Sequence, residues 1–154
     1  MRTDPEGKFT AMIVAYGLRD FELAASVFSE DCIYTIHVPT EITPYGGTII
    51  GRKAILDRLK GIGREFEVLS YEARQIVTSG DCVRSQICYE YRHRASGEVI
   101  DGVGRLEATF ADGKIVKWSA FHDVDRIQAF LRLCQSKTPT PDRSAATTIE
   151  RVAR

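Results

Sequence analysis

The stretch "ADGKIVKWSAFHDVDRIQAF", residues 111–130, decides how the chain is read. Its opening "ADGK" is a hairpin-type turn, residues 114–123 alternate as a strand, and "VDRIQAFLRLC", residues 124–134, returns to helical spacing. Alternation places Val116, Trp118, Ala120 and His122 on one face of that strand. Ile115, Lys117, Ser119, Phe121 and Asp123 fall on the other. The first face is the more apolar, and His122 is its one polar member. A histidine beside an aspartate suggests a base with the carboxylate that orients it. Unless a bulge intervenes, however, the two side chains point to opposite sides of the sheet.

The same pattern extends upstream. Strands are expected at 66–78, 82–93 and 98–110 as well as 114–123, with "ASGE" and "ADGK" joining the last three into an antiparallel meander. Before them, residues 8–29 repeat apolar positions at helical spacing, broken near Gly17, with Asp20 as an N-cap for a second helix. "SEDCIYTIHVP" suits a strand ending at Pro39, and "TEITPYGGTII" reads as loop with a diglycine turn. "GRKAILDRLKGIG", residues 51–63, is an amphipathic helix closed by glycines. The architecture is α+β, helices first and then a mostly antiparallel sheet, in a single domain over 1–135. Residues 136–154 form a polar tail with two prolines, flexible by composition unless a partner holds it.

Lys+Arg and Asp+Glu balance at 21 each, which gives no support to nucleic-acid or anionic-membrane binding. The first ten residues have no apolar signal-peptide core and no run reaches membrane-spanning length, so cytoplasm is the expectation. Cys32, Cys82, Cys88 and Cys134 form no C-x-x-C pair, and His37, His93 and His122 show no metal-ligand spacing. Reduced thiols, no metal and no cofactor are expected.

Strand parity also groups Cys32, Tyr34, Ile36 and Val38 on one face of the first strand, with His37 opposite. In 82–93 it groups Ile87, Tyr89, Tyr91 and His93, although His93 lies beside a turn and is expected to be exposed. In 98–110 the inner set includes Gly102, Gly104, Leu106 and Ala108, while Asp101, Arg105 and Glu107 point outward to pair with charges on neighbouring strands. The inner face therefore offers tyrosines, Trp118 and His122 among aliphatic and small residues. That is the lining of a small-molecule pocket, or of a packed core with hydrogen-bonded tyrosines.

The phrases "RDFELAASVFSEDCIY", "YGGTIIGRKAI", "ASGEVI" and "ADGKIVKWSAFHDVDRIQAF", in that order, resemble the NTF2-like superfamily, in particular its SnoaL-like polyketide cyclase and ketosteroid isomerase-like members. The resemblance spans about residues 8–133 and implies a conical fold. In it a strongly curved sheet wraps around the N-terminal helices and encloses an apolar pocket, with a homodimer packed through the outer sheet face. Steroid isomerases of the family use a pocket tyrosine on the first helix and two carboxylates, and the matching places here hold Met12, Ile36 and Leu106. Epoxide hydrolases of the family carry a similar last-strand phrase with an aspartate where Ala120 stands, and an Arg-x-Asp pair near Ile87 and Tyr89. Neither mechanism is supported by these residues.

What remains is His122, with Tyr34 or Tyr89 as hydrogen-bond donor to a carbonyl oxygen. Trp118, Ile36, Ile87 and Tyr91 are the expected substrate-binding wall, joined by Leu106, Ala120 and Met12, with Tyr45 folding over the mouth. The expected chemistry is cofactor-independent proton transfer on a small apolar carbonyl compound: cyclisation, isomerisation or dehydration. The alternative is a non-catalytic NTF2-like module that binds an apolar ligand or dimerises.

Overall fold

The computed structural model describes residues 4–137. Helix α1 (Pro5–Gly17) starts with Pro5 in its first turn and Asp4 as N-cap, the Asp4 carboxylate accepting from Gly7 N at 3.1 Å. Phe9, Met12, Ile13 and Tyr16 recur on its buried side. The break at Gly17 is real. Asp20 caps the short α2 (Phe21–Ala25), accepting from Leu23 N at 3.1 Å. Strand β1 (Phe28–His37) begins earlier than alternation alone suggested, because Phe28 closes no helix and is fully buried beneath the sheet.

"GTII", expected as loop, is instead strand β2 (Gly47–Ile50), paired antiparallel with β1. The diglycine explains how the chain turns back so tightly. Gly47 adopts φ +78° and donates from its N–H to Val38 O at 3.1 Å, while a side chain on Gly46 would run into the Val38 carbonyl. Helix α3 (Arg52–Glu65) runs past the glycines expected to end it. Those glycines provide room: a Cβ on Gly61 would stand 3.3 Å from the Tyr45 ring, and one on Gly63 2.6 Å from Phe21 Cζ.

Strands β3 (Phe66–Ser79), β4 (Cys82–His93), β5 (Val99–Ala111) and β6 (Lys114–Phe121) form the antiparallel meander. β1 then joins β6 in parallel, giving one six-stranded mixed sheet in the order β2-β1-β6-β5-β4-β3. Register shifts in β3 and between β5 and β6 bend the sheet around α1. The shift opposite Thr109–Phe110 also corrects the parity of β6. Ile115, expected outside, is fully buried, whereas Val116 is not; Trp118 and Ala120 are buried as expected, and Ser119, expected outside, is buried between them. Helix α4 (Val124–Lys137) covers the open end of the sheet and takes in residues 136 and 137, assigned above to the tail. The rest of that tail lies outside the described residues. Among the described residues no helix is long and apolar enough to cross a membrane.

Candidate functional site

Between the concave face of the sheet, α1, α3 and α4 lies an apolar cavity of about 150 Å³. The chain has six tyrosines, and all of them line it: Tyr16, Tyr34, Tyr45, Tyr71, Tyr89 and Tyr91. His122 also faces it, and among the described residues no Asp, Glu, Lys or Arg contributes to the lining. Of the residues expected from sequence, Met12, Ile36, Trp118 and Ala120 line the wall with Tyr34, Tyr89 and Tyr91. Ile87 and Leu106 do not. Both are 0% exposed and belong to the main core cluster with Phe9, Met12 and Ile13 of α1. Alternation gives the face of a strand, and the position along its length decides between cavity and core.

β1 and β6 lie side by side in register, Tyr34 opposite Trp118, so their rings stack with centroids 6.1 Å apart and planes within 7°. Burial pushes the Tyr34 hydroxyl well above its ordinary pKa, which keeps it a protonated donor. Tyr16 and Tyr91 share a hydrogen bond of 2.7 Å between their hydroxyls, and burial raises the Tyr16 pKa to about 12. Tyr71 packs edge-on against Tyr16, ring centroids 4.6 Å apart. Sequence reasoning missed Tyr16 and Tyr71. Tyr16 follows Met12 by one helical turn, and that i, i+4 spacing was the available signal. Tyr71 stands opposite Tyr89 on the neighbouring strand, a register visible only once a bulge near Leu69 is known.

Tyr45 also lines the cavity, its hydroxyl donating to Glu65 Oε1 at 2.9 Å and lying 3.2 Å from Gly61 O. Burial and the Glu65 carboxylate raise its pKa to about 12. The other expected histidines do not reach the cavity. His37 is exposed and stacks on Phe121 at 4.1 Å on the outer face. His93, expected to be exposed, is 7% exposed, because the "RASG" turn brings Ser96 Oγ to 2.8 Å from Nδ1 and the end of α3 brings Glu65 Oε2 to 3.3 Å from Nε2. Among the described residues no cluster of three or more His, Cys, Asp or Glu could hold a metal ion.

His122 sits one residue past the end of β6, and Tyr89 meets its ring edge-on at 5.5 Å. The bare backbone of Gly104 makes its seat: a Cβ there would lie 2.8 Å from His122 Nδ1. Nδ1 is buried against that strand with no hydrogen-bond partner. Desolvation lowers the His122 pKa from 6.5 to about 4, so the imidazole is neutral at pH 7. Tyr89 is seated likewise, its Cζ 2.7 Å from where a Gly102 Cβ would be. Tyr89 and His122 thus occupy the space over these two glycines. Asp123 turns outward and caps α4, its Oδ1 accepting from Arg126 N at 3.2 Å. It is no partner of His122.

The cavity, its phenols and its neutral imidazole occupy a fold with many solved relatives. An NTF2-like protein of unknown function from Burkholderia pseudomallei is 14% identical, with a TM-score of 0.74 over 84% of this chain and 98% of that one. TerC, solved with polyporic acid, is 20% identical, with a TM-score of 0.72 over 83% and 98%. A provisionally named polyketide cyclase from Xanthomonas campestris is 17% identical, with a TM-score of 0.68 over 82% and 96%. At such identities the likeness is one of fold. No curated protein matches the chain. The SnoaL-like domain model matches residues 9–118, and the chain therefore belongs to the SnoaL-like family, built on the NTF2-like fold.

Proposed function

We propose that this protein binds a small, uncharged carbonyl compound in the cavity and moves a proton on it without a cofactor, in a cyclisation, isomerisation or dehydration. One observation carries this reading: phenols and a single neutral imidazole are the titratable groups facing an otherwise apolar space. A carbonyl oxygen would accept from the Tyr34 hydroxyl, which makes no hydrogen bond among the described residues and stays protonated. Tyr89 serves less well, because its hydroxyl lies against Gly102, toward the rim, where Arg126, Asp123 and Asp101 act on it. His122 Nε2 would take the proton from the carbon beside the carbonyl and return it elsewhere on the substrate.

A second reading, binding without turnover, is favoured by one specific feature. A base whose conjugate acid has a pKa of about 4 is weak, and no carboxylate lines the cavity to replace it. In either reading the outer sheet face, where Ile33 and Val103 are exposed beside the Arg84–Glu107 pair, is the surface through which two copies would pack.

Deuterium exchange separates the two. Cyclohexanone incubated with the protein in D2O should gain deuterium beside its carbonyl faster than in buffer, and His122→Gln should abolish the gain while binding persists. Shifts in the His122 ring signals without exchange would leave only the binding reading. Neither shifts nor exchange would reject both.

A further inference from the structure

The floor of the cavity gathers phenol hydroxyls that border its open space. Tyr16 comes from α1, Tyr34 from β1, Tyr71 from β3 and Tyr91 from β4, so four elements converge there. Their hydroxyls are close enough that a charge on one disfavours a charge on the others: Tyr71 feels Tyr16 and Tyr34, and Tyr91 feels Tyr16, Tyr71 and Tyr34. Of the four hydroxyl hydrogens, one lies in the 2.7 Å Tyr16–Tyr91 bond, and three have no acceptor among the described residues. A carbonyl oxygen has two lone pairs, so one such oxygen cannot take all three. Two can.

Size and charge narrow the ligand further. An apolar cavity of about 150 Å³ is the size known to hold a benzene-sized molecule, and this one measures about 150 Å³. An ammonium on the ligand would be buried against phenols with no opposite charge in the lining among the described residues, and a carboxylate would meet only Arg58, which acts on Tyr34 from outside the lining and donates from Nη2 to Pro44 O at 3.4 Å. We infer that the ligand is an uncharged compound of one ring, which enters with two acceptor oxygens and no donor on its leading edge. This rests on the carbonyl-binding reading above and names the substrate class within it.

The probes are 2,2-dimethylcyclohexane-1,3-dione, cyclohexanone, 1-decalone and cyclohexanecarboxylate, titrated calorimetrically into the full chain. The dione should bind about tenfold more tightly than cyclohexanone, the difference expected of one extra satisfied donor. Tyr71→Phe keeps the ring and its packing, and should shrink that preference to about twofold. Aromatic NMR signals of the variant confirm that it is folded. Equal binding of dione and cyclohexanone overturns the inference while leaving the carbonyl reading intact. Decalone binding as well as cyclohexanone overturns the one-ring limit, and carboxylate binding as well as the dione overturns neutrality. If no ketone binds and the cavity tyrosine signals do not move, the carbonyl reading falls and this inference with it.

Discussion

His122 makes the protein's stability depend on pH in a calculable way. Its pKa is about 4 in the folded chain, against 6.5 for an exposed histidine. The unfolded chain therefore takes up a proton first as the pH falls, and the folded state is disfavoured by it. Above pH 6.5 the effect is absent, and it grows through the window from 6.5 down to about 4. Linkage gives a loss of about 2 kcal/mol by pH 5 and about 3 kcal/mol once both states are protonated. Other ionisable groups also contribute to the pH dependence of unfolding, so the wild type alone does not isolate the share of His122. The difference between wild type and His122→Gln in urea unfolding, measured from pH 7.5 to 4.5, removes what they share. The wild type should lose about 2 kcal/mol more than the variant between pH 7.5 and 5. A parallel NMR titration of the His122 ring should show no midpoint above pH 5. Equal slopes for the two proteins, or a midpoint near 6.5, would refute the buried neutral imidazole and with it the proton-handling role.

Two further substitutions test how His122 is held. Gly104→Ala places a methyl group 2.8 Å from Nδ1 and 2.7 Å from the Phe121 carbonyl, so it should destabilise the fold by about 1–3 kcal/mol in thermal or urea unfolding. Combined with His122→Ala it should cost less than the sum of the two, and strict additivity would mean that the added methyl and the imidazole do not meet. Asp123→Ala should remove the α4 cap and about 1 kcal/mol while leaving the His122 midpoint unchanged. A midpoint that drops in that variant would restore the dyad that the adjacent residues suggest.

Periodicity made much of this site legible because side-chain direction follows from backbone geometry alone. Period two put Tyr34, Tyr89, Trp118 and His122 on the concave face and Asp123 away from it, and the fold agrees at each. It failed where a bulge inserts a residue, as at Val116, because a bulge stems from contacts between strands that a single strand does not encode. It also could not separate Ile87 and Leu106 from Tyr89 and Ala120, because which part of a face is left uncovered depends on where α1 and α4 come to rest. His93 shows the converse. A polar residue beside a turn reads as exposed until the turn itself, through Ser96, supplies the partner that lets it be buried.

The tyrosines mark the deeper limit. Each alone is an ordinary half-buried aromatic, and only the three-dimensional meeting of α1, β1, β3 and β4 leaves hydroxyls facing one another with hydrogens to spare. A packed core would pair such groups internally, as Tyr16 and Tyr91 do. Tyr34 and Tyr71 make no such pair among the described residues and line the open cavity, where the acceptors of a ligand can meet their hydroxyls. Sites that break the rules of a well-satisfied interior are where function is expected. On that ground, the hydroxyls facing the cavity and the unpartnered His122 Nδ1 argue together for a ligand.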